Sequence, residues 1–156
     1  MNIKKFKKGV KSKLSKNFAS TEFDCSCKKC TETLIDLDHI IKLQKLRDDL
    51  GSSIKINSGY RCPEHNANIG GAKQSQHVLG TATDIVVKDM APDEVADSCE
   101  YFKGLGRYDS FTHIDSRDRI SKARWDNRSK KEHLPKGPSN EEIDKMLQDI
   151  EDDLLK

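Results

Sequence analysis

The chain has 156 residues, a formal net charge of +2, 34% hydrophobic and 35% charged residues. That composition fits one core of roughly 100 residues with solvated extensions, and it excludes collagen, coiled coil and wholesale disorder. No apolar run reaches the ~18–20 residues of a membrane span, and no charged-then-apolar leader opens the chain, so synthesis in the cytoplasm without a signal peptide is expected. The charge is uneven. Residues 1–16 hold seven lysines and no acid, residues 139–156 hold seven acids and two lysines, and the middle is neutral. A lysine-rich start can meet an anionic polymer, but a neutral middle argues against a specific nucleic-acid face.

Residues 1–16 read as a basic extension, helical at most in part. Phe18 to Thr33 reads as short and irregular, and it holds Cys25, Cys27 and Cys30. Leu37, Ile40, Ile41, Leu43, Leu46 and Leu50 recur at helical steps after Asp36, and Gly51 suits the helix end. Ile54–Ile56 alternates and stops at Ser58-Gly59, which predicts a strand. Residues 61–76 read as a loop with at most one helical turn. Ala82 to Val87 reads as a second strand, with Ile85 and Val87 on one face and Asp84 and Val86 on the other. Pro92 opens a helix whose stripe is Val95, Ala96, Cys99 and Phe102, stopped by Gly104. Phe111 to Ser116 reads as a third strand with Phe111, His113 and Asp115 on one face. The chain then turns polar until Pro138. Ser139 and Glu142 form a capping box for an amphipathic terminal helix (Ile143, Met146, Leu147, Ile150, Leu154). That helix packs on its own domain or docks an assembly partner. The expected fold class is α+β, in three parts: a basic extension (1–16), the domain (17–117), and a polar linker with the terminal helix (118–156).

The chemistry concentrates in Ser75-Gln76-His77-Val78-Leu79-Gly80-Thr81-Ala82-Thr83-Asp84. His77 and Asp84 frame two small residues, which allows the chain to fold His77 back over Asp84. His113 on the next strand completes an N, O, N donor set. Three protein ligands leave a fourth position for water, the pattern of a catalytic zinc site.

The decapeptide resembles the S-x-H-x-x-G-x-A-x-D motif of the M15 zinc D-Ala-D-Ala peptidases. Ser58-Gly59-Tyr60-Arg61-Cys62-Pro63 with Asn66 is similar to that family's upstream segment, and Phe111-Thr112-His113-Ile114-Asp115 to its third-ligand strand. Phe18 to Cys30 resembles the opening of small phage and bacterial members. The resemblance covers roughly residues 17–117. It implies the hedgehog/DD-peptidase fold, a small antiparallel sheet with flanking helices. It also implies Zn2+ held by His77, Asp84 and His113, and Arg61 and Ser75 at the substrate. The substrate class it implies is the peptide stems of peptidoglycan, cleaved by a D,D-carboxypeptidase or an endolysin-type endopeptidase. Such a protein would act at the cell wall, encoded by a phage or prophage and released through a membrane pore or carried on the virion.

A general base is harder to place. Ser110 and Phe111 stand where better-known members carry an acid or a histidine. Asp115, facing the same way as His113, is preferred to Asp109; the alternative is that Asp115 orients a ligand histidine. Arg107 and Arg117 read as surface residues, with a substrate carboxylate as the alternative. His65 is a candidate for the cleft wall, and His39 and His133 read as ordinary surface or core histidines. Cys25, Cys27 and Cys30 with Cys62 could hold a structural metal, form a bridge after release, or stay thiols. Two rival functions remain: a catalytically inactive zinc-containing binding or virion module of the same fold, and nucleic-acid binding through residues 1–30.

Overall fold

The alternation along Ala82–Val87 sets the centre of the molecule. A computed structural model describes residues 1–129 of the chain. In it the strands are β1 (Ile3–Lys7), β2 (Glu32–Asp36), β3 (Ile54–Ser58), β4 (Ala82–Val87), β5 (Gly104–Arg107), β6 (Thr112–Asp115) and β7 (Ala123–Asp126). The helices are α1 (Leu37–Leu50), α2 (Pro63–Asn68) and α3 (Pro92–Asp97). A five-stranded sheet runs in the order β3-β4-β6-β5-β7, and β1 with β2 forms a separate ribbon. The α+β expectation therefore holds. The large sheet is antiparallel except for the parallel pair β5–β7.

Period two divides this sheet into an apolar face and a polar one. Ile85 and Val87 of β4 and Ile114 of β6 join the main core with Ile40, Leu43 and Leu46 of α1 and Val95 of α3. Burying each such side chain contributes on the order of 1.5–3 kcal/mol. Asp36 caps α1 by accepting from the Asp38 amide at 3.3 Å, and Gly51 ends it at φ 62°. Cys99 and Phe102 are fully buried as expected, but regular helix stops at Asp97 and the chain reaches them through turns. His39 is a core residue of α1. It bonds Ser116 Oγ at 2.9 Å and Thr83 Oγ1 at 3.0 Å, and burial pushes its pKa down to about 3.

Four strands differ from the sequence reading, among them β2, which begins inside the stretch read as irregular. The basic extension contains β1, whose residues Ile3 to Lys7 pair antiparallel with Asp36 to Glu32. Its lysines stay exposed while backbone pairing supplies the order. Gly104, read as a helix stop, instead opens β5, and the polar stretch after Arg117 contains β7. Neither has strong strand propensity, and both form because β6 offers an edge for β5 and β5 then offers one for β7. The terminal helix and His133 lie outside the described residues.

Candidate metal centre

Register builds the site. On the polar face, Ser58, Asp84, His113, Gly106 and Trp125 are cross-strand neighbours in one row. Asp84 thus stands directly opposite His113. In the adjacent row Asp115 is opposite Gly104. Both glycines are needed for room: a Cβ on Gly104 would lie 2.0 Å from Asp115 Oδ2, and one on Gly106 would lie 2.5 Å from the Trp125 ring. The Trp125 ring therefore reaches His113, with centroids 5.0 Å apart.

His77 arrives from the loop between α2 and β4. Turn hydrogen bonds from Val78, Leu79 and Gly80 shape that loop, and Gly80 takes φ 74°. The Gly80 carbonyl is held by the Asp36 amide at 2.9 Å. The turn brings His77 Nε2 to 3.2 Å from His113 Nδ1 and 3.3 Å from Asp84 Oδ1. The third separation, His113 Nδ1 to Asp84 Oδ1, is 2.8 Å. All three residues are buried, with exposures of 3%, 5% and 8% for His77, Asp84 and His113.

These three atoms fit one cation. Tetrahedral zinc with bonds of about 2.0–2.1 Å spaces its ligands about 3.3 Å apart. The outer contacts fit as well. The Gly59 carbonyl only accepts, so His77 Nδ1 donates to it at 2.7 Å and leaves the Nε2 lone pair for the centre. Likewise His113 Nε2 faces Asp115 Oδ2 at 3.2 Å, directing Nδ1 inward. Arg61 donates from Nη2 to Asp84 Oδ2 at 2.6 Å and from Nε to Ser58 Oγ at 2.9 Å. One carboxylate oxygen of Asp84 is thereby fixed while the other points at the imidazoles.

The electrostatics follow from these pairings. Burial opposes the charge on Asp84, yet hydrogen bonds from His113 and His77 hold its carboxyl well below the usual range. Burial likewise opposes Asp115, and Arg117 and His113 overcome it, again lowering the pKa. Burial would depress His113, but Asp115 and Asp84 on its two sides raise it above its ordinary value. His113 thus lies between two carboxylates, in a surrounding of negative charge.

Asp115 sits behind His113. It is fully buried, and Arg117 grips it with Nε to Oδ1 at 2.8 Å and Nη2 to Oδ2 at 2.6 Å. Asp109 is bound to the Ser129 backbone amide at 3.0 Å and also to its hydroxyl, away from the cluster. A cavity of about 670 Å³ opens over the three donors, lined also by Arg61, Ser75, Tyr108, Phe111 and Trp125. Among the described residues Asp84 is the one carboxylate in its wall. His65 is elsewhere, bonded to Ser26 Oγ at 3.0 Å. Arg107 pairs with Asp93 and Asp97. Trp125, Tyr108 and the two β5 glycines escaped the sequence reading. The signal available was a lone tryptophan in a polar stretch downstream of a Gly-x-Gly.

The four sulfurs of Cys25, Cys27, Cys30 and Cys62 also converge, all within 4.8 Å of one another. Among the described residues no helix is long and apolar enough to cross a membrane. No curated protein matches the chain significantly. Residues 16–115 match the family model for peptidase M15, whose members are zinc-dependent peptidases. That span takes in the whole donor cluster and most of the chain, so the protein belongs to the peptidase M15 family.

Proposed function

We propose that this protein is a zinc metallopeptidase that cleaves the peptide stems of peptidoglycan, as a D,D-carboxypeptidase or an endolysin-type endopeptidase. The observation that carries the reading is the convergence of His77 Nε2, Asp84 Oδ1 and His113 Nδ1 under an open cavity. Three ligands with space beside them are the arrangement of a zinc that works on substrate rather than one that only braces a fold. When bound, zinc supplies Lewis-acid polarisation of a carbonyl and lowers the pKa of water.

The chain's own residues do the rest. The Gly59 carbonyl and Asp115 fix the two imidazoles in the tautomers that leave inward lone pairs. Arg61 locks Asp84 and, from the cavity wall, presents positive charge to a substrate carbonyl or carboxylate. Ser75 lies on the same wall for a polar contact to the peptide. The stacked Tyr108 and Phe111 rings, 4.3 Å apart, give the peptide an apolar surface. Asp115 acts as a positioning residue and not as the base favoured by the sequence, because Arg117 and His113 occupy both its oxygens and it has no exposed surface. Action at the cell wall and a phage origin belong to the same proposal and rest on the family resemblance.

One observation favours a second reading. Asp84, tied to Arg61, is the sole carboxylate of the cavity wall among the described residues, so that wall offers no free carboxylate as general base. A zinc-containing binding or virion module would be built the same way. Incubating the protein with sacculi and stem peptides, with and without chelator, separates the two. The peptidase reading predicts chelator-sensitive release of D-Ala or opened cross-links, absent in His77→Ala. Zinc retained with no product from any stem peptide or sacculus would favour the binding module.

A further inference from the structure

We infer that Cys25, Cys27, Cys30 and Cys62 form a second metal centre, a closed four-thiolate site for a structural zinc ion that anchors the segment carrying Gly59 and Arg61. Cys27 Sγ lies 3.1 Å from Cys30 Sγ and 3.6 Å from Cys62 Sγ. Zinc–sulfur bonds of about 2.3 Å place tetrahedral sulfurs about 3.8 Å apart, a value that lies between the shorter contacts here and the 4.8 Å within which all four sulfurs fall. Every cysteine among them is free of a disulfide. Four protein ligands complete a tetrahedron and leave no corner for substrate, which separates this centre in kind from the His77 cluster.

The surroundings are arranged for negative sulfur. Backbone amides aim at three of the atoms: Cys30 N–H at Cys27 Sγ, Cys62 N–H at Cys25 Sγ and His65 N–H at Cys62 Sγ, each at 3.4 Å. Lys8 Nζ lies 3.7 Å from Cys30 Sγ and 4.0 Å from Cys27 Sγ, and it also donates to the Cys27 carbonyl. Zinc with four thiolates carries a net charge of −2, which these amides and the ammonium offset. The ammonium is held in place by the Cys27 carbonyl, so it faces the sulfurs as a fixed positive charge. An all-sulfur tetrahedral set selects zinc among the abundant non-redox cations.

The location gives the centre its role. Cys62 follows Arg61 and caps α2 through its sulfur. Tyr60 N–H bonds the Phe23 carbonyl at 2.8 Å, two residues before Cys25. Tying the loop of residues 25–30 to Cys62 therefore fixes both groups that orient the donor cluster: the Gly59 carbonyl on His77 and the Arg61 guanidinium on Asp84.

The test uses the full chain purified under reducing, oxygen-free conditions, with metal analysis and cobalt substitution. His77→Ala removes the other centre, and it should keep about one zinc per chain, the complement of one closed tetrahedral site. Its cobalt form should show tetrahedral d–d bands and intense sulfur-to-cobalt charge transfer. Adding Cys27→Ser or Cys62→Ser should abolish or strongly weaken that charge transfer. A folded His77→Ala protein with no metal and no sulfur-to-cobalt band overturns the inference, as does iron in place of zinc. If the wild type holds the same single thiolate-bound zinc as His77→Ala, this inference stands and the reading of the His77 centre fails instead.

Discussion

Two groups of donor atoms lie at opposite ends of the short segment Gly59–Cys62, and they are held in different ways. Asp84 and His113 are neighbours across two paired strands, so the sheet itself sets their spacing, and one loop adds His77. The four cysteines sit on loops and a helix cap, with no strand pairing to define their distances. The sheet-built cluster has three donors beside a cavity, and the loop-built cluster has four, the number that completes a tetrahedron. Rigid donors beside empty space suit chemistry on a substrate, while donors gathered from loops suit a cation that supplies folding energy. Metal removal should therefore cost activity at one centre and stability at the other.

The largest effect expected is from His77→Ala, which should reduce peptide hydrolysis to background while the far-ultraviolet circular dichroism stays that of the folded protein. Asp115→Asn comes next. A carboxylate behind a ligand histidine is worth about 10–100-fold in metal affinity or activity, so zinc affinity and turnover should fall together in parallel titrations. Turnover lost with unchanged zinc affinity would instead make Asp115 a base.

Cys27→Ser sharpens the contrast between the centres: its melting temperature should fall further than that of His77→Ala. Equal shifts in calorimetry would erase the distinction. Gly104→Ala should have the smallest effect of the four. Its Cβ would meet the Asp115 carboxylate at 2.0 Å, and such overpacking costs about 1–3 kcal/mol, readable in denaturant melts. A neutral result would mean that Asp115 is not held where the sheet places it.

Much of this arrangement was legible in the residues. Apolar steps from Leu37 to Leu50 with Gly51 mark α1 because one face of a helix must be buried. Ala82–Val87 reads as a strand whose two faces differ, and that difference aims Asp84 away from the core. What escaped were elements whose order comes from their partners. β1 is mostly lysine and exists through its pairing with β2. β5 is Gly-Leu-Gly-Arg, weak as a strand alone, and its glycines make sense only once Asp115 and Trp125 lie across them. Asp115 was legible as a residue facing the same way as His113. That it stands behind the imidazole depends on Arg117, whose grip no spacing rule foretells.

Anomalous diffraction at the zinc edge, on crystals of the zinc-loaded protein, tests the central claim most directly. A peak about 2.0–2.2 Å from His77 Nε2, Asp84 Oδ1 and His113 Nδ1 together is the predicted result. A refined map with no zinc among those three atoms, in crystals otherwise saturated with the metal, would contradict it.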